Sequence, residues 1–301
     1  MRRGSDAATA LMRRRHRDRR FVWGLATLAI MTLLALLLPV VVQLAGGETA
    51  TGIGDVLARR LVPPLSSDGL GTWHLLGSDA FGRDISVRLW EAARISLGVG
   101  VAGSLLAGFL GIALGAVAAW SGGTVERVIV ALGDALLSVP RLILLLVIAA
   151  LWGPGLTVVI TVLALTGWMS IMRLVRTDVA GVRVLPYVES ARALGVPATR
   201  LVMRHVLPNA LGSATVAITL GIGNAILLES GLSFLGLGVQ PPAASWGNMI
   251  AGGREWLLVA PWIALLPGVL LIITVVACTL VGDALTDARA DAVSTRRAAA
   301  P

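Results

Sequence analysis

Apolar residues fall in six long blocks along the chain: Phe21 to Leu44, Arg94 to Trp120, Val128 to Leu151, Leu156 to Leu174, Leu211 to Leu232 and Pro261 to Val281. Each is near the roughly 20 residues that a helix needs to cross a bilayer core. The pattern predicts an all-α polytopic membrane protein with six transmembrane helices, since a span must satisfy its own backbone. It divides the chain into an Arg-rich tail (1–20), a first transmembrane helix (21–44), a polar Gly- and Pro-containing segment (45–93), a core domain (94–281) with the other five helices, and a C-terminal tail (282–301). The first block is longer than the apolar region of a typical signal peptide and no clear small-x-small cleavage site follows, so it is expected to be retained.

Composition sharpens this picture mainly by exclusion. With 56% hydrophobic and 14% charged residues and a mean hydropathy of +0.85, a water-soluble globule is ruled out. All 25 basic residues are Arg. A chain without Lys has no Walker A loop and no Schiff-base nucleophile, so neither ATP hydrolysis nor imine chemistry belongs to it. Cys278 is a lone thiol, and His16, His74 and His205 are scattered, so no metal site is expected. No nucleophile and base stand together on the spans, so no catalytic residue is assigned and the chain is not expected to be an enzyme.

The net charge of +8 reads as topology rather than as nucleic-acid binding. With the N-terminus in the cytoplasm, eighteen Arg fall on inside segments and five outside, with Arg94 and Arg141 in or beside spans. Both termini are then cytoplasmic. Among other candidates, Asp134 and Arg141 flank Ser138-Val139-Pro140 and read as anchors of an interfacial lead-in, where Arg141 can snorkel without a partner. Gly111 and Gly115 form a small-xxx-small packing face. Most Trp fall near span ends as an interfacial belt.

The cytoplasmic loop 175–210 carries six Arg at or near its bounds, and by charge alone reads as a solvated loop held near anionic lipid headgroups. Within it, Pro186 to Gly195 has the marks of a short helix, with Pro in its first turn and Gly at its end. A second helix should begin near Pro197 and stop at about Leu207, because Pro208 disfavours helical geometry in the residue before it.

The run Glu189-Ser190-Ala191, Gly195 and Leu207-Pro208 resembles the EAA motif of ABC transporter permeases, departing at Ser190 and at His205. His205-Val206-Leu207-Pro208-Asn209 is similar to the ending found in the peptide/nickel branch. So are Leu76-Gly77-Ser78-Asp79-Ala80-Phe81-Gly82-Arg83-Asp84 with Ala93-Arg94-Ile95-Ser96-Leu97, Glu229 to Gly238 with Gln240-Pro241-Pro242 and Ser245-Trp246-Gly247, and Gly282-Asp283-Ala284-Leu285. Together they cover about residues 72–287, and the sequence resembles the C-type permease subunit of dipeptide/oligopeptide/nickel importers.

That resemblance implies a type I importer permease fold and transport of peptides, with nickel or another small solute as the alternative and a secondary transporter as a weaker one. It implies a coupling helix, with Tyr187, Glu189, Ser190, Ala191, Leu194, Gly195, His205, Leu207 and Pro208 as the ATPase-coupling residues. Glu229, Gly231, Gly236, Gln240 and Trp246 are expected at an outer gate or binding-protein dock, Glu229 satisfying the backbone of an irregular Gly231-to-Gly238 turn. The implied partners are a second homologous permease, two cytoplasmic ATPase subunits or domains, an extracytoplasmic substrate-binding protein and membrane lipid. No cofactor is bound by this chain; ATP and Mg²⁺ belong to the ATPases.

Overall fold

The computed structural model describes the backbone of residues 2–44 and 53–298 and the side chains of residues 18–41 and 56–291. The side chains of most of the N-terminal Arg cluster, and residues 45–52, lie outside the described residues. In chain order the elements are α1 (Arg2–Leu44), α2 (Ile53–Arg59), the paired strands β1 (Ser66–Ser67) and β2 (Trp73–His74), α3 (Ile85–Ser121), α4 (Gly123–Leu137), α5 (Arg141–Trp152), α6 (Leu156–Arg183), α7 (Pro186–Ala193), α8 (Ala198–Leu201), α9 (Leu207–Phe234), α10 (Trp246–Gly253) and α11 (Trp262–Ala298). Among the described residues, five helical stretches are long and apolar enough to cross a membrane, and the α4–α5 pair makes a sixth, broken span.

Three features differ from the sequence expectation. The third span is not one straight helix from Val128 to Leu151: α4 and α5 meet at 87°. Pro140 cannot donate a backbone hydrogen bond, and Ser138 ends α4 by donating its N–H to the Asp134 carbonyl (3.0 Å) and its hydroxyl to that of Ala135 (2.7 Å). Pro208 does not stop a helix either. The chain runs helically from Ala198 to Phe234, because a π turn over Val202–Val206 precedes the proline, and its wider coil relieves the crowding that a proline imposes one turn back. Finally α3 starts at Ile85, inside the segment assigned to the outside, where Asp84 caps it by accepting the Ser86 N–H at 2.7 Å.

α3 is the centre of the bundle, and glycine makes it so. An added Cβ on Gly111 would lie 2.7 Å from Ile171 Cβ and 2.8 Å from the Trp168 carbonyl, and one on Gly115 would lie 2.7 Å from the Met172 carbonyl. These two, with Gly103 against Leu163, form the face on α6, while Gly100 and Gly108 receive Ile226 and Ile218 of α9. Backbones approach closely wherever the side chain is absent, and in lipid that contact drives association. Trp168 sits here too, buried with Met169 and Met172 rather than in an interfacial belt.

α1 packs against α11 and α3, with Gly24 set against the Ala277 carbonyl. Pro39 in α1 leaves the Ala35 carbonyl without its helical partner. Arg94 of α3 supplies the missing donor: its Nε bonds the Ala35 oxygen at 2.6 Å and its Nη2 the Leu36 oxygen at 2.5 Å. A costly charge and a costly carbonyl thus satisfy each other.

The packing argument predicts a sharp contrast between two glycines of one helix. Gly111→Val should lower stability by about 1–3 kcal/mol through overpacking, read as a Tm several degrees lower for the detergent-purified chain. Gly98→Val meets open space and should leave Tm nearly unchanged. Equal Tm for both variants would remove the basis for the α3–α6 contact.

Candidate functional site

The residues singled out by sequence gather at opposite ends of the bundle. At the Arg-rich end, α6 gives way to α7 through an extended Leu185, and Pro186 occupies the first turn, where its missing N–H costs nothing. α7 stops by the paired 6→1 and 5→2 bonds of a Schellman motif. The Val196 N–H reaches the Ala191 carbonyl (3.2 Å), the Gly195 N–H reaches that of Arg192 (3.0 Å), and Gly195 takes φ +79°. One side chain of α7, Val188, is buried, among Val175, Val179, Leu201, Val206 and Ala210. Tyr187, Glu189 and Ser190 are exposed, Ala191 is half-buried and Leu194 is 85% exposed.

α7 is therefore a projecting platform held by one apolar pin and one polar clasp. The clasp is Trp120 at the end of α3, which lies against the guanidinium groups of Arg183 (5.6 Å) and Arg192 (5.3 Å). Arg183 also donates Nη1 to the carbonyls of Ala119 (3.0 Å) and Trp120 (3.2 Å), which end α3 without helical partners. Along the same end of α6, Arg173 pairs with Asp134 and Arg176 with Glu126 of α4 (2.6 Å), while Asp178 receives Ser213 of α9 and Arg289 of α11 (2.7 Å). His205, Leu207 and Pro208 are not part of the platform. They lie on the π turn and the first turn of α9, joined to α7 through the apolar cluster around Val188.

At the other end Glu229 is fully buried and is the centre of a polar knot. Its carboxylate accepts hydroxyls from Ser96 of α3 (3.0 Å) and from Ser233 (2.6 Å) and Ser230 (3.4 Å) of α9. Those hydroxyls in turn receive backbone donors from the loop after α9: Val239 N–H on Ser233 (3.0 Å) and Trp246 N–H on Ser96 (3.2 Å). Glu229 thus satisfies loop backbone through two serines rather than directly.

Gly231, expected in an irregular turn, is helical, because α9 continues to Phe234 and ends at Gly236. Gly236 takes φ +79° and completes the same pattern as Gly195, with its own N–H on Ser233 and the Leu237 N–H on Leu232 (2.9 Å). Gln240 is exposed but folds back on its own loop, donating Nε2 to the carbonyls of Gly236 (3.0 Å) and Gly238 (3.2 Å). Trp246, expected beside a docking surface, is fully buried. Its indole packs with Ile85, Leu89 and Ala92 and donates to the Leu89 carbonyl (3.3 Å).

The segment 53–84 packs beside this loop. Ser78 bridges it, donating to the Arg59 carbonyl and accepting the Val62 N–H (2.8 Å), while Trp262 Nε1 bonds the Ser78 carbonyl (3.2 Å). Asp68 faces Arg59 (3.3 Å) and His74 (3.3 Å), whose other ring nitrogen lies 2.7 Å from Asp84. Burial pushes the Asp68 carboxyl up, but the N–H groups of Thr72 and Leu70 and the His74 ring outweigh it and hold the pKa below the ordinary carboxylate value. Ser96 and Ser233 were present in the quoted motifs without a role, and the Asp68–His74–Asp84 chain carries no motif that would have found it.

A family profile described as binding-protein-dependent transport system inner membrane component matches residues 111–294. A Brucella abortus protein named as a peptide transport system permease is 37% identical over 284 residues, 94% of this chain and 92% of its own length. The oligopeptide transport system permease protein OppC of Bacillus subtilis is 38% identical over 71% of this chain and 70% of its own, and the dipeptide permease protein DppC of that organism is 37% identical over 77% and 71%. Among solved structures, a chain of the MetNI methionine ABC transporter in inward-facing conformations superposes with a TM-score of 0.54 at 19% identity, over 67% of this chain and 95% of that one.

The knot around Glu229 makes a directional prediction. Glu229→Leu removes the acceptor of three hydroxyls, and amide hydrogen exchange over residues 235–248 should rise at least about tenfold, equivalent to the 1–3 kcal/mol of a buried group left unpaired. Glu229→Gln keeps one carbonyl acceptor and should raise exchange less. Unchanged exchange in Glu229→Leu would mean the loop is held by other contacts.

Proposed function

Because the chain belongs to the family of binding-protein-dependent transport system inner membrane components and has the fold of ABC importer permeases, we propose that it forms half of the translocation pore of an ATP-driven peptide importer. Peptide cargo is supported by relatives named as peptide, oligopeptide and dipeptide permeases at 37–38% identity over most of the chain. The full assembly in this reading adds a second homologous permease, two cytoplasmic ATPase subunits or domains and an extracytoplasmic binding protein. ATP and Mg²⁺ sit on the ATPases; this chain, having no Lys, offers no phosphate-binding loop.

The observation that carries the coupling role is the exposure of α7. An apolar Leu194 left 85% open, beside an exposed Tyr187, on a helix held by one buried valine, is surface that favours a protein groove over water. Closure of the ATPases would push on this platform. Val188 sits in a cluster drawn from α3, α6, the π turn and α9, and Arg192 rests on Trp120 of α3, so the push reaches three spans together. The response would be alternating access, inward and outward, for what the binding protein delivers. Both termini and α7 then lie in the cytoplasm, with the segment 53–84 and the loop after α9 facing the binding protein.

Three measurements test this. Gly195→Val should abolish most transport in the reconstituted complex with normal membrane abundance, because a β-branched residue resists the left-handed geometry at that position, while Gly195→Asn should retain more. Normal transport by both variants would reject the coupling role. The purified chain should hydrolyse no ATP. With Cys278 replaced by Ala, Leu258→Cys, fully exposed, should react with an impermeant thiol reagent from outside and Leu194→Cys only after the membrane is opened; the opposite result inverts the topology.

A further inference from the structure

Arg141 opens α5 immediately after the 87° bend. Its Nε donates to Thr166 Oγ1 of α6 at 3.1 Å, and its Nη2 lies 3.5 Å from the Leu163 carbonyl. The same Nη2 would stand 3.3 Å from a Cβ on Gly167, whose other neighbour is Ala107 of α3. Thr166 is about 15 Å along α6 from Leu156 at 1.5 Å per residue, close to the middle of that helix's apolar run. Arg141 therefore holds its charge near mid-depth in the bilayer, between α5, α6 and α3.

Nothing in the described chain neutralises it. Among the described residues no carboxylate lies within 4.0 Å of Arg141: Asp134 is taken by Arg173 and Glu229 by the three serines. Two of the five guanidinium N–H groups are used, and the residue is only half-buried. Arg94 makes an instructive contrast, because it lies near the end of α3, where its head can reach the interface, and it bonds a carbonyl that Pro39 had freed.

Two constraints decide what the open side of Arg141 faces. An unpaired cation at mid-depth is among the most costly residues to expose to hydrocarbon, and it turns toward protein or a watery cavity. Non-helical backbone, here Ser138 to Pro140, is tolerated at that depth on the same condition. Broken helices whose half-helix N-termini point into a path are a recurrent way of holding an anionic substrate group, and Arg141 is itself the first residue of such a half-helix. Resting on the peptide-importer reading above, we propose that Arg141 binds the free α-carboxylate of a peptide in transit. A peptide carries that carboxylate ionised at neutral pH whatever its side chains. The guanidinium would accept it through the N–H groups left over, with Thr166 holding the fork in place.

The test uses the whole importer in proteoliposomes, with tri-alanine and tri-alanine amide as cargoes, each at a concentration that saturates the binding protein. Arg141→Gln should lower uptake of the free acid about tenfold, the worth of one charge-assisted hydrogen bond, and of the amide less than about twofold, while Arg141→Lys keeps most of the preference for the acid. An equal loss for both cargoes overturns the proposal, since it would mean that Arg141 serves assembly or pairs with an acid of the second permease. An unchanged acid-to-amide ratio overturns it too. Should Arg141→Gln fail to assemble, Thr166→Val leaves the charge and removes the hydroxyl that aims it: the ratio should fall, and a wild-type ratio counts against the proposal. A wild-type complex that moves neither cargo sinks the peptide reading itself, and this inference with it.

Discussion

Inside the apolar slab a polar group has no water to turn to, so each one must find its partner within the chain or beside a watery path. Much of this fold is the set of solutions to that constraint. Arg94 answers the carbonyl freed by Pro39, and Glu229 answers Ser96, Ser230 and Ser233, which answer the loop backbone at Val239 and Trp246. Because each solution joins separate elements, the polar groups decide which helices are tied and at which depth. The glycines of α3 then let the tied helices close to contact distance.

Both ends of the bundle use the same backbone device. α7 and α9 each stop at a glycine in the left-handed region with the same pair of carbonyl contacts, at Gly195 and at Gly236. A helix ended in this way turns its chain sharply without leaving unpaired carbonyls. At Gly195 the turn keeps α7 short and projecting; at Gly236 it sends the chain back over the bundle so that Trp246 can be buried against α3. The two ends differ in what they expose. α7 presents apolar surface, while the loop after α9 spends its polar groups on itself, Gln240 included.

The spans were legible because hydropathy is a local property, and the short helix with its terminal Gly was legible because proline and glycine act within a turn. What could not be read depends on contacts distant in sequence. Ser96 and Glu229 stand 133 positions apart, and nothing local says that they meet. Trp246 looked like a surface tryptophan because its neighbours Pro241, Pro242 and Ser245 are loop residues; the indole is buried because α3 offers the Leu89 carbonyl beneath it. Pro208 was misjudged for a related reason, since a rule about the preceding residue assumes regular α geometry and the chain supplies a π turn instead.

The distribution of ties also says how movement can pass through the molecule. α6 carries ion pairs to α4 and α11, a hydroxyl contact to α9, and Arg183 on the end of α3, all at the Arg-rich end. Nearer mid-depth α6 meets α3 through glycine and methyl contacts, which are short-ranged and can slide. Helices pinned at one end and packed smoothly along their length rotate about the pinned end more easily than they separate. Force applied at α7 therefore enters where the bundle is most rigid, and the displacement grows toward the α4–α5 break and the far loop, where α5 packs mainly on α6 and the backbone already departs from regular helix.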